Sequence, residues 1–179
     1  GPLGSENVIF SQSFSRYLSQ DILAQRDQPS ADLSAMDGYA IRAADLPGPW
    51  AVTGEIAAGS TPLQRVGPGE AMRIFTGAML PEGADTIVIQ EDAITEGTHL
   101  RLATADEIRP GQHVRSRASD FPAGARLLAA GTRVTPGVIA AAIMSGAAQL
   151  TAGTRPRVAI ITTGDELVQP GEPLPPAGI

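Results

Sequence analysis

The sequence predicts an α+β protein that is mainly β, and three features lead to this prediction. Between Ser34 and about Leu128, short runs of β-forming residues alternate with glycine and proline. One clear helix follows at residues 135–146, and a continuously apolar run at residues 157–162 is typical of a strand buried on both faces of a parallel sheet. Strands at such close spacing favour a compact β-domain over repeated βαβ units.

The first predicted element is a helix over residues 13–25. Ser13 is a suitable N-cap, and apolar side chains recur from Phe14 to Ile22 at the i, i+3, i+4 spacing of one helix face. Pro29 lies beyond the end of this pattern.

The predicted strands are rich in β-branched and aromatic residues and are bounded by turn signals such as Pro47-Gly48 and Pro110-Gly111. They run from Trp50 to Thr53, Ala71 to Phe75, Thr86 to Gln90, His99 to Leu102 and His113 to Ser116.

The predicted helix at residues 135–146 has both of its ends marked. Thr135 suits the N-cap, Pro136 the first helical position and Gly146 the position after the C-cap. The small, polar residues 147–155 that follow are interpreted as a joint.

The two ends of the chain carry separate expectations. Residues 1–5 are interpreted as the remainder of a cleaved expression tag and are set aside from the fold. Residues 172–179 are loop-like and no second apolar strand follows residues 157–162, so we expect the chain to be cut inside a domain. With no cysteine and no export signal, the cytoplasm is the expected compartment.

Composition excludes several kinds of chemistry. The 179 residues include no cysteine and no lysine, and all 13 basic residues are arginine, so thiolate and Schiff-base catalysis are excluded. No apolar run reaches the ~18 residues of a membrane span. A formal net charge of -6 argues against non-specific nucleic-acid binding. Carboxylates, arginines, hydroxyls and backbone groups remain.

Charge is unevenly distributed along the chain. Residues 55–96 carry seven acidic residues and two arginines, whereas residues 101–133 carry six arginines and three acidic residues. The cationic stretch suggests an anionic small ligand. A solvated, arginine-rich surface is the simpler alternative, and charge alone favours it.

Two candidate segments lie in the β-rich part. In Ser34–Ala40, the flexible Gly38 allows the chain to turn and project Asp37, although a loop aspartate more often caps a backbone N–H. In Arg73–Asp85, a strand ends at Thr76-Gly77, where a hydroxyl and free N–H groups offer an anion site or simply form a wide turn.

A third candidate segment follows the apolar run near the end of the chain. Ile161–Leu167 leads from the predicted strand into a glycine turn with two carboxylates, Asp165 and Glu166. In open α/β sheets ligands bind beyond the carboxyl ends of strands. A helix start with acidic residues at its positive end is an equally suitable interpretation.

Taken together and in order, five segments resemble the MoeA family of molybdopterin molybdenumtransferases, which is related to the C-terminal part of gephyrin. The Ser34–Ala40 and Thr76–Asp85 motifs are the most specific, and the resemblance extends from about residue 8 to residue 179. The segments are Ser34–Ala40, Arg73–Asp85, Arg115–Asp120, Pro136-Gly137 and Thr163–Leu167.

The resemblance implies a function and a set of partners. Members of the family insert molybdate into adenylylated molybdopterin and release AMP, with Mg²⁺ as the required cation. They work as homodimers with the active site at the subunit interface, and molybdopterin adenylyltransferase is the upstream enzyme. No nucleic acid and no membrane is implied.

The resemblance also implies site residues. Asp37, Thr76, Asp120 and Glu166 match the family's catalytic positions, and Arg115 matches its cofactor-binding arginine. In the family the first three and the arginine lie on the β-domain of one subunit and face the third domain of the partner.

Further cofactor-binding positions follow from the Thr-Gly-Asp-Glu motif, in which Gly164 and Asp165 precede Glu166. Glu166 is the expected metal ligand. Two segments depart from the family pattern: Ala31-Asp32-Leu33 stands where Phe-Asp-Asn is usual, and Ala118-Ser119 where Gly-Glu is usual.

The implied domains are a linking domain formed by residues 6–30 and 123–155, an inserted β-rich domain at 31–122, and the start of a truncated, MogA-like α/β domain at 156–179. The family's glycine-rich molybdopterin loop and phosphate-binding lysines lie beyond residue 179. We therefore expect the chain alone to lack transferase activity. The alternatives are a gephyrin-like scaffold without catalysis and a sugar-phosphate or nucleotide binder.

Overall fold

The computed structural model describes residues 4–103, 107–176 and 178. Within them the chain is mainly β, as predicted. The strands are β1 (Ser5–Val8), β2 (Ile22–Leu23), β3 (Leu33–Ser34), β4 (Gly38–Ile41), β5 (Trp50–Ile56), β6 (Glu70–Ile74), β7 (Thr86–Ile89), β8 (Ala93–Glu96), β9 (His99–Leu102), β10 (Val114–Arg115), β11 (Arg126–Leu128) and β12 (Leu150–Gly153). The α-helices are α1 (Phe10–Ser13) and α2 (Pro136–Met144), and short 3-10 turns occupy Ala43–Asp45 and Gln90–Asp92.

The largest unit is a six-stranded sheet in the order β7-β4-β6-β5-β9-β8. Strands β5 and β6 are parallel and the other neighbours are antiparallel. Ala40 and Ile41 are adjacent on β4 but belong to different hydrophobic clusters, because successive side chains of a strand point to opposite faces. The sheet therefore carries an apolar layer on each face, and Trp50 lies fully buried in one of them.

Segments that precede and follow the six-stranded sheet in the sequence form a third hydrophobic cluster. Strand β1 pairs with β12, and β2 pairs with β11. Val8, Leu18, Val138 and Leu150 are among the side chains that pack together there. This cluster shares no residue with the two layers of the six-stranded sheet.

The pairing of β1 corrects one expectation about residues 1–5. Ser5 is paired with Gly153, and the carbonyl oxygen of Gly4 accepts hydrogen bonds from the N–H and the hydroxyl of Thr154, at 2.8 and 2.9 Å. Setting these residues aside from the fold was therefore wrong for Gly4 and Ser5. Residues 1–3 lie outside the described residues.

Helix α2 forms where the sequence predicts it. The Thr135 hydroxyl oxygen accepts a hydrogen bond from the Val138 N–H at 3.3 Å, and Pro136 occupies the first turn. Gly146 follows the helix with a φ of 96°, a conformation that costs glycine little.

The predicted helix at residues 13–25 is wrong. Helix α1 ends at Ser13, and Ser15 has a φ of 62°. The backbone beyond it is extended, because the Leu18 N–H donates to the Thr132 carbonyl at 2.9 Å and the Tyr17 carbonyl accepts from Gly153 at 2.9 Å. Tertiary pairing with two distant segments overrides the local helical pattern.

Residues 157–162 also differ from expectation, since they form no strand in the structure. Val158, Ile160 and Ile161 are 77%, 86% and 85% exposed. A strand requires a hydrogen-bonded neighbour, and this run has none among the described residues. In the same described part of the chain, no helix is long and apolar enough to cross a membrane.

Candidate functional site

Strand β3 brings three separate segments into one loop cluster. Its Ser34 exchanges backbone hydrogen bonds with the turn after β6: the Ser34 N–H donates to Ala78 at 2.9 Å, and the Gly77 N–H donates to Ser34 at 2.8 Å. On its other side β3 pairs with β10, and the Ala35 N–H donates to His113 at 2.9 Å. The segments around residues 34–37, 76–80 and 113–115 are therefore neighbours.

The Asp37 carboxylate is held by one residue of this cluster, Thr76. Asp37 Oδ1 accepts hydrogen bonds from the Thr76 N–H and from the Thr76 hydroxyl, both at 2.7 Å. The Asp37 carbonyl accepts from the Gln90 N–H at 3.0 Å. Oδ2 accepts no hydrogen bond from the described residues, so this oxygen is available to a ligand.

These contacts stabilise the ionised form of Asp37 further. The Thr76 N–H, and next the Thr76 hydroxyl, hold the pKa of Asp37 below its ordinary value, and partial desolvation opposes them. The positive charge of Arg73 lowers the pKa further. Because a carboxylate with a lowered pKa carries no proton near pH 7, Asp37 suits the role of a fixed negative hydrogen-bond acceptor.

Arg73 is a functional candidate that sequence reasoning did not single out. Its guanidinium carbon lies 5.1 Å from the centroid of the Tyr39 ring and 5.0 Å from that of Phe75. A sequence signal existed: Phe75 follows Arg73 at the two-residue spacing of one strand face, and Tyr39 is its cross-strand partner. The contact between Arg73 and Tyr39 depends on the register of β4 against β6, which the sequence does not show.

The Arg115–Asp120 segment is a chain of charged groups beside β3. Arg115 Nη2 lies 2.5 Å from Asp120 Oδ2, and both side chains are partly exposed. The next arginine, Arg117, is paired with Asp27 at 2.6 Å. The Arg117 N–H also donates to Asp32 Oδ1 at 2.7 Å. Arg115 and Arg117 are each matched by a carboxylate, so the positive charges of these two arginines are locally offset.

Ala118 occupies a strained position in this segment. Its φ is 60°, a left-handed conformation that favours glycine, and its N–H donates to the Pro29 carbonyl at 2.9 Å. The sequence resemblance places a glycine here in other members of the family. The departure from glycine therefore leaves Ala118 with a backbone strain that glycine would not carry.

The remaining predicted residues, Gly164, Asp165 and Glu166, lie elsewhere. They belong to the exposed stretch after β12, where the Leu167 N–H donates to the Gly164 carbonyl at 3.2 Å and closes a turn. Among the described residues, no hydrogen bond or ion pair joins this turn to Asp37. The structure joins Asp37 to Thr76 and Arg115 to Asp120, on segments that meet at β3, and no described contact joins this turn to either pair.

The described residues offer few side chains that could bind a metal ion together. Within the described residues, no group of three or more His, Asp or Glu side chains is placed to hold a metal ion. Asp165 and Glu166 are adjacent, exposed carboxylates. Mg²⁺ is commonly held by one or two carboxylates together with ligand phosphates and water, so this pair fits a shared site but not a metal cage built by this chain alone.

Fold and site together define a class of protein. It is rich in β-strands, and its loops hold an ionised carboxylate, Asp37, on a segment adjoining one whose arginines form ion pairs with carboxylates. The family model described as "MoeA N-terminal region (domain I and II)" matches residues 2–146. The chain belongs to the MoeA family, and the resemblance seen in the sequence is confirmed.

Individual relatives agree with this assignment. The chain is 41% identical to the molybdopterin molybdenumtransferase of Nostoc sp. (strain PCC 7120), over 92% of this chain and 39% of the relative. It is 36% identical to that of Bacillus subtilis (strain 168), over 98% of this chain and 43% of the relative. A solved structure of the molybdopterin biosynthesis MoeA protein of Pyrococcus horikosii matches 99% of this chain and 47% of its own, with a TM-score of 0.90 and 32% identity. The chain thus spans less than half the length of these relatives.

Proposed function

We propose that this chain is the site-bearing N-terminal part of a molybdopterin molybdenumtransferase, which inserts molybdate into adenylylated molybdopterin and releases AMP. The observation that supports this best is the Asp37–Thr76 contact, at the position where the family resemblance expects catalytic residues. The relatives' shared name supports the same reaction. Molybdopterin adenylyltransferase would supply the adenylylated substrate.

The arginine beside the Asp37 cluster suits oxyanion substrates. A guanidinium group binds phosphate or molybdate oxygens through two parallel, charge-assisted hydrogen bonds. Arg115 is partly exposed, and its ion pair with Asp120 orients it without burying it. In the proposed role, Arg115 contacts an oxyanion while Asp120 fixes the direction of its side chain.

Asp37 has a different role, because it carries a negative charge close to anionic substrates. Such a carboxylate accepts hydrogen bonds from ligand N–H or O–H groups or contributes to binding a cation. The family resemblance implies Mg²⁺, for which Glu166 is the expected ligand in this chain, with the exposed carboxylate of Asp165 beside it. When bound, Mg²⁺ would offset the repulsion between phosphate and molybdate.

We also propose a head-to-tail homodimer. The support is the separation of the predicted site into two groups that no described contact joins: the cluster around Asp37 and the turn that carries Glu166. A partner subunit that provides the second group would complete the site. The cytoplasmic location expected from the cysteine-free sequence stays a prediction.

A chimera tests the transferase proposal. The chain would replace the corresponding 43% of the Bacillus subtilis relative, and the product would be assayed for AMP release and cofactor formation from adenylylated molybdopterin and molybdate. We expect activity, and we expect Asp37→Asn to remove most of it. Glu96→Gln, which changes an exposed carboxylate of β8 whose ion-pair partner among the described residues is Arg101, serves as the matched control.

The same chimera tests the dimer. Asp37→Asn and Glu166→Gln subunits, each inactive alone, should regain part of the activity when refolded together, because one mixed site would contain both intact residues. No recovery in a verified mixed dimer would contradict a shared site. A folded but inactive unsubstituted chimera would favour the scaffold alternative.

A further inference from the structure

Arg73 is held in one orientation by two aromatic rings. Its guanidinium carbon lies over Tyr39 and Phe75 at 5.1 and 5.0 Å from the ring centroids, within the ~6 Å range of cation–π contacts. Tyr39 is on the neighbouring strand, directly opposite Arg73. An arginine in contact with two rings has less freedom in its side chain, which restricts the direction of its N–H groups.

One of those N–H groups donates to the backbone next to Asp37, and another donates to the side chain of Gln90. Arg73 Nη1 donates to the Gly38 carbonyl at 3.2 Å, and Nη2 donates to Gln90 Oε1 at 2.7 Å. Gly38 is the residue after Asp37, and the Gln90 N–H donates to the Asp37 carbonyl at 3.0 Å. One guanidinium therefore ties together two of the groups that fix the Asp37 backbone.

We propose that Arg73 is a positioning residue for Asp37: its planar fork, bound to Gly38 and to Gln90, aims the Asp37 carboxylate at Thr76. This inference deepens the proposed transferase function and rests on it for its catalytic meaning. Arg73 forms no ion pair with Asp37 within the described residues, so its direct contacts toward Asp37 are those with Gly38 and Gln90, in addition to the longer-range effect of its charge.

The role follows from the geometry of arginine rather than from its charge alone. Lysine carries the same charge but lacks the planar fork that donates in two directions, and it stacks less well on aromatic rings. A misplacement of a catalytic group by about 1 Å can lower a rate by about 100-fold. Arg73→Lys should therefore be only a partial substitute, while Arg73→Met removes both charge and fork.

The first test is amide hydrogen exchange by NMR on the full 179-residue chain. In Arg73→Met, the Thr76 amide should exchange about tenfold faster, because its acceptor on Asp37 is no longer held in place. Amides of α2, which packs in the cluster of Val8, Leu18 and Leu150 away from the sheet, should keep their exchange rates. Arg101→Met is the matched control, since Arg101 lies on β9 of the same sheet and its only described side-chain partner is Glu96 at 3.3 Å.

The outcomes of this test are distinct. Equal Thr76 exchange in Arg73→Met and in the unsubstituted chain would overturn the proposal, and so would an equal rise for all amides of the sheet, which would show a purely structural role. If Arg73→Met does not fold, Gln90→Met removes only one acceptor of the fork and keeps the backbone N–H. A smaller rise in Thr76 exchange is then expected, and no rise would overturn the proposal.

The second test is kinetic and uses the chimera with the Bacillus subtilis relative. Arg73→Met should lower kcat ten- to hundredfold with little change in KM, and Arg73→Lys should recover part of the loss. A raised KM with unchanged kcat would overturn positioning, because Arg73 would then bind substrate directly. An inactive unsubstituted chimera would contradict the transferase function, while the Thr76 exchange result would still decide whether Arg73 positions Asp37.

Discussion

Gly38 and Val88 are so close that no side chain fits between them: a Cβ atom on Gly38 would lie 2.1 Å from the Val88 carbonyl oxygen and 2.9 Å from its carbonyl carbon. The two residues lie on adjacent strands, β4 and β7. The glycine beside Asp37 is therefore required by packing, and its position sets how closely the strands meet next to the site.

Gly38→Ala should destabilise the protein by about 3 kcal/mol, at the upper end of the usual cost of overpacking, since backbone must move to admit the methyl group. Chemical denaturation monitored by fluorescence measures this, because Trp50, the single tryptophan, is buried in the same sheet. Gly137→Ala in α2 is the control with the opposite sign. Its Cβ would have no neighbour closer than 3.9 Å, and alanine should raise helix stability by about 1 kcal/mol. A Gly38→Ala variant as stable as the unsubstituted chain would refute the packing argument.

The Thr76 hydroxyl can be separated from the Thr76 backbone by substitution. Thr76→Val keeps the N–H that donates to Asp37 but removes the hydroxyl donor. The pKa of Asp37 should rise and yet stay below its ordinary value, because the backbone hydrogen bond is its largest cause. An NMR titration of the Asp37 carboxyl carbon measures the change. Thr76→Ser keeps both donors and should leave the pKa unchanged; a rise there would show that the methyl group matters.

Stability should fall in mild acid. Backbone N–H groups of Ala130, Ala123 and Thr76 are the main reason that the pKa values of Asp21, Asp27 and Asp37 are lowered. A folded-state pKa below the unfolded value of about 3.9 means that the unfolded chain binds more protons in that range. The stabilisation is complete above about pH 5 and is lost as the pH falls through the folded-state pKa values.

Denaturation at pH 7 and at pH 3 checks the direction of this effect. Asp27→Asn should be less stable than the unsubstituted chain at pH 7, where it loses the ion pair with Arg117 and the charged acceptor for Ala123. Its stability should also depend less on pH. If the stability of Asp27→Asn depended on pH as steeply as that of the unsubstituted chain, Asp27 would not contribute to the acid effect.

Ala118→Gly should stabilise the chain. Ala118 has a φ of 60°, and a left-handed conformation costs a non-glycine residue about 1–2 kcal/mol. Because glycine loses more backbone entropy on folding, we expect a net gain of about 0.5–1 kcal/mol. The free energy of unfolding measures it. Ala123→Gly, at a position with no positive φ, should not stabilise, and equal gains in both variants would contradict the strain argument.

The parts of the fold that depend on local pattern were predictable. Strands near Trp50, Ala71 and His99 show alternation within a few residues, and α2 is marked by Thr135 and Pro136 at its start. The mainly β class and the MoeA resemblance followed from such local information, and both are confirmed.

The parts that depend on distant segments were not predictable. Residues 13–25 have a helical pattern, but their backbone groups bind Thr132 and Gly153, and Phe14 and Tyr17 remain exposed. Residues 157–162 have a strand pattern without a neighbour to pair with. Asp37 and Thr76 were each recognisable in the sequence, but their direct contact depends on β3 lying beside the turn after β6. The role of Arg73 depends on strand register in the same way.

The position of β3 has a consequence for how the protein is made. Leu33 meets Met79 on one side and Arg115 on the other, so the loop cluster requires two long loops to close. A ribosome that has released the chain only as far as Met79 has produced Asp37, Arg73 and Thr76 but not the segment that carries Arg115. Contacts between such distant residues form slowly, because loop closure precedes the contacts that stabilise it. A partly synthesised chain therefore lacks the pairing of β3 with β10, and the loop cluster should close only after the segment at Arg115 has been translated and has paired with Leu33.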